Sequence, residues 1–518
     1  MWSCCASSRS PATRRHAVRK GRPSGRPFLH PGARPAPQRR SFSRLAASAA
    51  SASGESRVSP SRSAERRGRQ SGASHESGGC LLPKPPGSTC PRIRGRLHDE
   101  STSERGGTPV VKEQDFVIVG ASLAGASAAK TLREEGFAGS IRLLGAEPHH
   151  PYIRPPLSKE FLAGTADRGT VFVESDDWYA ANQVEFRPST RAVGLDPRGH
   201  RLTLESGETL AWDRLLLATG SSPRRLAIPG ADLGGVHYLR TLDDSESLRG
   251  LLAGGGRRLV LIGSGWIGME VAATARALGN EVVILERDPI PLANALGDEL
   301  GQMFADLHRE HGVSLRTSVV VESIAGAEGR LTGVVLAGGE VVPADLVLVG
   351  VGAIPNVGLA EAAGLEVDNG IVVNESLQTS HPDVFAAGDV ASAYHPAARM
   401  RLRSEHWANA LHGGPAAARA MLGQAVSFDA IPYFYTDQFD LGMEYSGFGP
   451  LTRGADLVFR GNRGSREFIA FWLAAGTVVA GMNVNVWDVN DAVQSLIRRG
   501  APVDPGRLAD ESIPLDAV

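Results

Sequence analysis

Short apolar runs followed by a glycine-containing turn and a helical stretch occur twice along the chain. The first run, DFVIVG at residues 115–120, leads through the turn GASLAG into a helix predicted over residues 126–135. The second run, RLVLIG, leads into SGWIGMEVAATARALG and then into a second strand, EVVILE, at residues 281–286. A strand, a glycine turn and a helix that returns to a parallel strand form a βαβ unit. The pattern therefore predicts an α/β fold with two Rossmann-like domains.

The pattern changes at both ends of the chain. After about residue 431, the aromatic-rich alternating segments PYFYTDQFDLGM and REFIAFWL precede a helix predicted over residues 489–499, which indicates a small C-terminal α+β domain. Before about residue 108, Ser, Arg, Pro, Gly and Ala dominate without apolar periodicity, which predicts a disordered N-terminal extension. The predicted domains are an extension over 1–112, a first α/β domain over 113–235 and 351–428, a second over 236–350, and a C-terminal domain over 429–518.

Charge is distributed unevenly between the extension and the rest of the chain. Residues 1–112 hold 22 Lys+Arg against 6 Asp+Glu, which leaves 33 against 50 for the remainder. An Arg- and Ser-rich, acid-poor extension is typical of an organellar transit peptide, and a mis-assigned start is the alternative. Because it lacks interleaved aromatic residues, a nucleic-acid partner is disfavoured. No apolar run is long enough to span a membrane, so we expect a cytoplasmic protein, or an organellar one if the extension is a transit peptide.

The first glycine turn has the residues that a dinucleotide pyrophosphate requires. In GASLAG, Gly120 permits a tight turn, Gly125 permits close packing of helix and strand, and Ser122 replaces the usual middle glycine beside Ala124. The following helix N-terminus presents free N–H groups to an anion. Glu147, after the next strand, is placed to accept hydrogen bonds from an adenosine ribose. The alternative is a turn that merely joins a strand to a helix.

The second glycine turn, GSGWIG, matches the dinucleotide pattern at every glycine. Its acidic partner, Glu286, would hydrogen-bond the ribose 2′-hydroxyl and repel a 2′-phosphate, which favours NADH over NADPH. Arg287 weakens this preference if it reaches a phosphate, whereas as a surface charge it would not. The turn residues are Gly263, Gly265, Ile267 and Gly268.

Two further segments place polar groups at strand ends. The strand in TLAWDRLLLATG runs into a tight turn at Ala218, Thr219 and Gly220, which suits a crossover between two domains. The segment DVFAAGDVA places Asp389 after a strand and a glycine, where the next helix would begin. Asp389 is therefore either a ligand-facing acid or an ordinary helix N-cap.

Together these motifs resemble the pyridine nucleotide oxidoreductases with two dinucleotide folds, most closely the NADH-dependent ferredoxin reductases of oxygenase systems. The resemblance extends from about residue 115 to the C-terminus. Its most specific marker is PYIRPPLSK at residues 151–159, which is also similar to a segment of the apoptosis-inducing flavoproteins. The resemblance implies that Arg154 approaches the FAD phosphates and that Lys159 stands beside the flavin ring. An ammonium group there would stabilise the anionic reduced flavin.

The resemblance implies further roles around both cofactors. Val193 would approach the adenine by its backbone, Arg240 and Asp389 would contact FAD, and Trp407 in EHWANALHGG would lie near the flavin ring. Glu270 would be the acid near the nicotinamide, and Gly352 would make a close backbone approach to NADH. Lys159 and Glu270 are thus the candidate catalytic residues, and no metal ligand is expected. Alternatively, Glu270 is an exposed acid in the first helical turn and Trp407 a core residue.

The position of the cysteines restricts where the electrons can go. All four, Cys4, Cys5, Cys80 and Cys90, lie in the extension, so the body has neither the redox-active pair of a disulfide reductase nor the single thiol of a peroxidase. The expected activity is hydride transfer from NADH to FAD and delivery of electrons to a small iron–sulfur ferredoxin, by a monomer or homodimer. A small acceptor such as a quinone, or an apoptosis-inducing-factor-like redox sensor, stays open.

Overall fold

The computed structural model describes residues 114–518, and this part of the chain forms 26 strands and ten α-helices. The predictions for residues 1–112 lie outside it. The strands are β1 (Asp115–Val119), β2 (Ser140–Leu144), β3 (Val184–Arg187), β4 (Ala192–Asp196), β5 (Arg201–Leu204), β6 (Thr209–Ala211), β7 (Arg214–Leu217), β8 (Ser221–Pro223), β9 (Val236–His237), β10 (Arg258–Ile262), β11 (Glu281–Leu285), β12 (Ser314–Arg316), β13 (Val321–Ala327), β14 (Arg330–Leu336), β15 (Val341–Pro343), β16 (Leu346–Val349), β17 (Ala353–Pro355), β18 (Ile371–Val373), β19 (Val384–Ala386), β20 (Ala391–His395), β21 (Met400–Leu402), β22 (Tyr433–Gln438), β23 (Leu441–Gly447), β24 (Asp456–Asn462), β25 (Glu467–Ala474) and β26 (Thr477–Val484).

The helices of the described residues are mostly short and connect these strands. Two 3-10 helices also bear on predicted site residues: Arg154 and Lys159 flank Pro155–Ser158, and Asp389 lies within Gly388–Val390. The α-helices are α1 (Leu123–Glu134), α2 (Asp176–Ala181), α3 (Leu242–Leu252), α4 (Trp266–Ala277), α5 (Ala293–Leu296), α6 (Asp298–Glu310), α7 (Gly358–Ala362), α8 (Trp407–Met421), α9 (Asn490–Arg499) and α10 (Pro505–Ala509).

Two parallel five-stranded sheets form the centre of the fold. The first has the order β19-β7-β1-β2-β3 and the second the order β12-β11-β10-β16-β9. Strands β7 and β16 are buried on both faces, which explains their nearly continuous apolar runs RLLL and LVLV. The predicted fold class, two Rossmann-like domains with a C-terminal α+β domain, is confirmed.

The C-terminal part is an antiparallel sheet of order β22-β23-β26-β25-β24. One face packs against the second parallel-sheet domain, where Met443 and Phe468 share a core with Phe304 of α6. The other face is covered by α9, which buries Val493 and Leu496 against it. This two-sided burial accounts for the aromatic-rich strands. Among residues 114–518, no helix has the length and apolar character that crossing a membrane requires.

The structure shifts some predicted boundaries and corrects one assignment. Helix α1 begins at Leu123, three residues before the predicted start, because its N-cap Ser122 lies inside the glycine turn. Asp389 neither starts a helix nor caps one: it lies within the 3-10 helix Gly388–Val390, whose N-cap is Ala387. The chain then continues directly into β20, because pairing with β18 satisfies its backbone. The next α-helix begins only at Trp407.

Helices α1 and α8 approach each other at backbone distance. A Cβ atom added to Gly414 in α8 would lie 2.2 Å from the carbonyl oxygen of Ala124. This close contact fixes α8 against the helix that leaves the first glycine turn. The neighbouring Gly413 has room, because its nearest atom would be 3.7 Å away.

We expect Gly414→Ala to destabilise the protein and Gly413→Ala, its matched control, to leave it unchanged or slightly more stable. A side chain at residue 414 must push the two backbones apart, which costs about 1–3 kcal/mol. At residue 413 alanine gains about 0.5–1 kcal/mol of helix propensity without a clash. Urea denaturation followed by circular dichroism measures both effects. Equal midpoints for the two variants would contradict the close contact.

Candidate functional site

A cavity of about 710 Å³ lies at the carboxyl ends of the first sheet and reaches the second and C-terminal domains. Binding sites in sheets of this kind form at the carboxyl ends of parallel strands, and cofactor pockets occupy roughly 300–1,000 Å³. The lining segments are residues 119–124, 144–147, 154–155, 157–159, 190–192, 218–222, 239–241, 266–267, 358–359, 387–389, 405–408 and 433–435, with residues 152, 270, 356 and 410.

Most of the residues predicted to contact FAD line this cavity. Gly125 and Val193 do not: Gly125 packs under the turn, and Val193 is 52% exposed beyond the lining residues 190–192. The predicted residues in the lining are Gly120, Ser122, Ala124, Glu147, Arg154, Lys159, Ala218, Thr219, Gly220, Arg240, Asp389 and Trp407, together with Ile267 and Glu270 from the NADH set.

The first glycine turn has no room for side chains. Gly120 has a φ of +118°, and a Cβ atom there would lie 2.1 Å from the Ala218 carbonyl oxygen. A Cβ atom on Gly125 would lie 2.0 Å from the Gly120 carbonyl oxygen. Helix α1 therefore starts at the cavity wall, with Ser122 making no side-chain cap. The free N–H groups of its first turn fit the pyrophosphate of a dinucleotide.

Glu147 is held by a network that reaches the second domain. Its carboxylate accepts hydrogen bonds from the Tyr152 hydroxyl and, at 3.2 Å, from Arg154 Nη2. The Tyr152 hydroxyl also accepts from Arg154 Nη1 and from the backbone N–H of Leu242, both at 3.0 Å. Burial raises the pKa of Tyr152, so the hydroxyl stays protonated. The predicted ribose acid is thus tied to the first residue of α3.

Asp389 and Arg240 form an ion pair inside the cavity. Arg240 Nη2 lies 2.8 Å from Asp389 Oδ2, which also accepts from Ser221 Oγ at 2.9 Å. Burial, followed by the charge of Arg154, lowers the pKa of Arg240. Two neighbouring guanidinium groups suit the negative phosphates of FAD. Trp407, at the first position of α8, has a buried Nε1 with no partner among the described residues, as expected of a donor that serves a bound group.

Lys159 and Glu270 form a buried ion pair at the wall between the domains. Lys159 Nζ lies 2.9 Å from Glu270 Oε1, and the two side chains are only 9% and 7% exposed. Glu270 also accepts from Ser158 Oγ at 2.5 Å and from Thr436 Oγ1 at 2.7 Å. The alternative that Glu270 is an exposed acid in the first helical turn is wrong, because it lies deeper in α4 and is buried.

The second glycine turn repeats the geometry of the first. Gly263 has a φ of +97°, and a Cβ atom there would lie 2.5 Å from the Gly350 carbonyl oxygen. A Cβ atom on Gly268 would lie 2.7 Å from the Gly263 carbonyl oxygen, and Gly265 is the N-cap of α4. The turn glycines lie outside the cavity lining, as do Glu286 and Gly352, whereas Ile267 and Glu270 on the same helix line it. Helix α4 therefore connects a second nucleotide turn to the cavity.

Glu286 faces its turn, as the prediction requires. It accepts hydrogen bonds from Ser264 N at 2.8 Å, Ser264 Oγ at 2.6 Å and Asp288 N at 2.9 Å. The Arg287 side chain is 81% exposed and lies 3.8 Å from Asp288. The carboxylate, not the guanidinium, is therefore the group fixed at the turn.

Sequence reasoning missed several cavity residues because they come from other domains. Trp266 follows the second glycine of the second turn, and its ring contacts Phe434 of β22 at a centroid distance of 5.0 Å. Phe434 stacks on His406 at 4.3 Å. Burial lowers the pKa of His406 to about 4, which leaves its ring neutral. The aromatic alternation in PYFYTDQ indicates an aromatic strand such as the one that lines the cavity here. It does not indicate that Trp266 and His406 are the residues that Phe434 contacts.

Two family models match the chain. Residues 114–414 match pyridine nucleotide-disulphide oxidoreductases, and residues 433–518 match the reductase C-terminal family. Rhodocoxin reductase from Rhodococcus erythropolis is 37% identical over 401 residues, which are 77% of this chain and 93% of that protein. The ferredoxin–NAD(+) reductase component of the biphenyl dioxygenase system from Paraburkholderia xenovorans is 39% identical over 398 residues, or 76% and 96%.

The fold is similar to that of a solved complex. The crystal structure of the covalent putidaredoxin reductase–putidaredoxin complex superimposes with a TM-score of 0.75 at 36% identity, covering 78% of this chain and 97% of that one. The similarity thus includes both parallel sheets and the C-terminal domain.

Removing one member of the buried ion pair should cost more stability than removing the pair. Lys159→Met leaves a buried carboxylate without its cation, which costs about 3–5 kcal/mol. Adding Glu270→Gln removes that charge, keeps an oxygen that accepts from Thr436 and offers an amide N–H to the Ser158 hydroxyl, so part of the stability returns. Urea denaturation of both variants measures the difference. A double variant no more stable than Lys159→Met would show that packing, not charge, is responsible.

Proposed function

The chain belongs to the pyridine nucleotide-disulphide oxidoreductase family, and from this premise we propose that it transfers hydride from NADH to FAD and passes electrons to a ferredoxin-type iron–sulfur protein that feeds an oxygenase. The observation that carries the proposal is one cavity bordered by a dinucleotide turn, two guanidinium groups and a buried Lys159–Glu270 pair. The relatives support ferredoxin as the acceptor, because the biphenyl dioxygenase component is by name a ferredoxin–NAD(+) reductase and rhodocoxin reductase is by name the reductase of a protein, rhodocoxin.

We assign the cofactors to domains by their turns. FAD occupies the cavity of the first domain, residues 113–235 and 351–428, whose sheet contains β1 and β19. NADH binds the second domain, residues 236–350, at the turn of α4, with residues 429–518 closing the cavity through β22. The protein acts in the cytoplasm as a monomer or homodimer, without nucleic acid.

Four charged residues of the cavity have a task in binding FAD. The α1 N-terminus, Arg154 and Arg240 neutralise the phosphates, and Glu147 accepts from the adenosine ribose. Asp389 accepts from the ribityl chain in place of its internal bond to Arg240. Val193 contributes only backbone near the adenine, which agrees with its exposed side chain.

On the nicotinamide side, the chain positions NADH rather than exchanging protons with it. Ile267 and Glu270 reach the cavity from α4. Gly352 follows β16. Apart from its chain neighbours, no described residue has an atom within 4 Å of the place that a Cβ would take, so a nucleotide can approach its backbone. Bound FAD supplies the chemistry, because it accepts a hydride and releases electrons singly. Lys159 places positive charge where negative charge develops.

The absence of thiols from residues 114–518 bears on the choice between acceptors within the family. This part of the chain contains no cysteine and so holds no thiol that could take electrons from the flavin. That supports transfer of the electrons to a separate molecule. A disulfide reductase of the same fold would need a cysteine pair beside Lys159 and Trp407.

Stopped-flow absorbance of the full-length holoenzyme tests the proposed reaction. Mixed anaerobically with NADH, the bound flavin should bleach rapidly, and a [2Fe–2S] ferredoxin added next should be reduced rapidly. Fast bleaching followed by electron transfer to a quinone, but not to ferredoxin, would mean that the acceptor is a small molecule and not ferredoxin. A stable NAD⁺–flavin charge-transfer complex without any transfer would favour the redox-sensor alternative.

Substituting Glu286 tests the preference for NADH. Glu286→Gln removes the charge that repels a 2′-phosphate and weakens a charge-assisted hydrogen bond worth about 1.5–3 kcal/mol. We expect the ratio of kcat/KM for NADH over NADPH to fall about 10- to 100-fold. Arg287→Gln is the matched control, and its ratio should not change. A loss of NADPH use in the control would assign phosphate recognition to Arg287.

A further inference from the structure

Buried polar side chains continue from the Lys159–Glu270 pair away from the cavity in an unbroken line. Thr436 Oγ1 lies 2.7 Å from Glu270 Oε1, and Gln438 Nε2 lies 3.1 Å from Thr436 Oγ1. His308 Nε2 lies 2.8 Å from Gln438 Oε1. Thr436 is 1% exposed, and Gln438 and His308 are fully buried. This line, the Thr436–Gln438–His308 chain, has no place in the binding roles assigned above.

The hydrogen bonds of the chain all point the same way. Burial lowers the pKa of His308 to about 4, so the ring is neutral and carries one N–H. Gln438 Oε1 can only accept, which places that proton on Nε2. Gln438 then donates to Thr436, and Thr436 donates to Glu270. Consecutive donors polarise each other, so the chain concentrates its effect on one carboxylate oxygen.

The chain connects elements that are distant in sequence. His308 lies on α6 and Glu270 on α4, whereas Thr436 and Gln438 lie on β22 of the C-terminal domain. The surrounding core is apolar, with Phe304 and Met443 close by. Burying polar groups in such a core costs free energy unless they are hydrogen-bonded. Apolar side chains would therefore fill this interface at a lower cost in stability.

The chain acts on Lys159 through Glu270 Oε1. Glu270 Oε1 accepts a hydrogen bond from Thr436 Oγ1 and forms the ion pair with Lys159 Nζ, whereas Glu270 Oε2 accepts a hydrogen bond from Ser158 Oγ. On its other side, Lys159 Nζ stands 5.4 Å from the Tyr435 ring centre, a soft contact that does not fix direction. If Thr436 stopped donating, the carboxylate could turn about its bond to Ser158, and the ammonium group would follow it.

We propose that Thr436, Gln438 and His308 are positioning residues that hold Glu270, and through it the Lys159 ammonium group, at a fixed place beside the bound flavin. The inference rests on the proposed function only in placing FAD beside Lys159. An ammonium group held close stabilises negative charge on the reduced ring, so the chain raises the reduction potential of the flavin. The C-terminal domain thereby tunes the cofactor without touching its reacting atoms.

The test is the midpoint potential of the flavin in the full-length holoenzyme, measured by anaerobic dithionite titration with a reference dye. Lys159→Met should lower the potential most. Thr436→Val and Gln438→Leu should lower it in the same direction, by a two- to tenfold change in the reduction equilibrium, or about 9–30 mV for a two-electron couple. Thr436→Ser restores the hydroxyl and should restore the potential. Ser446→Ala removes a buried hydroxyl from the neighbouring strand and is the matched control, with no expected shift.

Gln438→Met keeps the inference testable if Thr436→Val and Gln438→Leu do not fold. It retains the length of the side chain but has no N–H, so it cannot donate to Thr436 and the potential should fall as well. Unchanged potentials in Thr436→Val and Gln438→Met, beside a lowered one in Lys159→Met, would overturn the inference. An unchanged potential in Lys159→Met would overturn it together with the placement of FAD. Dithionite needs no NADH, so failure of hydride transfer or ferredoxin reduction is recognised separately.

Discussion

The arrangement of this protein depends on one buried pair of opposite charges. Lys159 follows a 3-10 helix at the end of PYIRPPLSK, and Glu270 lies in the helix of the second glycine turn. Removing two charges from water costs several kcal/mol per ion, and their attraction compensates only when further hydrogen bonds complete the site. Ser158 and Thr436 supply them. The first domain, the second domain and the C-terminal sheet must therefore meet at this point.

The cavity around that pair divides its work between backbone and side chains. Backbone forms the turns, where Gly120 and Gly263 bring a strand end within contact of the next strand's carbonyl. Side chains supply charge: Arg154 pairs with Glu147, and Arg240 pairs with Asp389. These side chains form ion pairs with each other in the protein. They are therefore already oriented when polar atoms of a cofactor replace one partner of each pair. Such preorganisation lowers the entropy lost on binding.

Local patterns predicted the fold class and both glycine turns, because strand, turn and helix are consecutive in sequence. Most of the residues that these patterns or the family resemblance assigned to FAD line the cavity. The pairing of Lys159 with Glu270 could not be predicted, since it depends on how two domains dock. The same holds for Phe434, which reaches the cavity from the C-terminal sheet, and for Thr436 on the same strand, which donates to Glu270. The glycine between the strand and Asp389 predicts that a helix starts at Asp389. In the structure, the pairing of β18 with β20 determines the local conformation instead. A tertiary contact overrode a local signal there.

The contacts of the glycines with backbone atoms separate two kinds of position for anyone who redesigns this protein. Gly120, Gly125 and Gly414 each face a carbonyl oxygen, which no second substitution can shorten or remove. A substitution of one of these glycines therefore cannot be compensated by changing a second residue. The aromatic wall of Trp266, His406 and Phe434 consists only of side chains, whose volumes can be exchanged among neighbours. A cavity of altered shape is therefore best sought by combinatorial libraries on the wall, with the turns left unchanged.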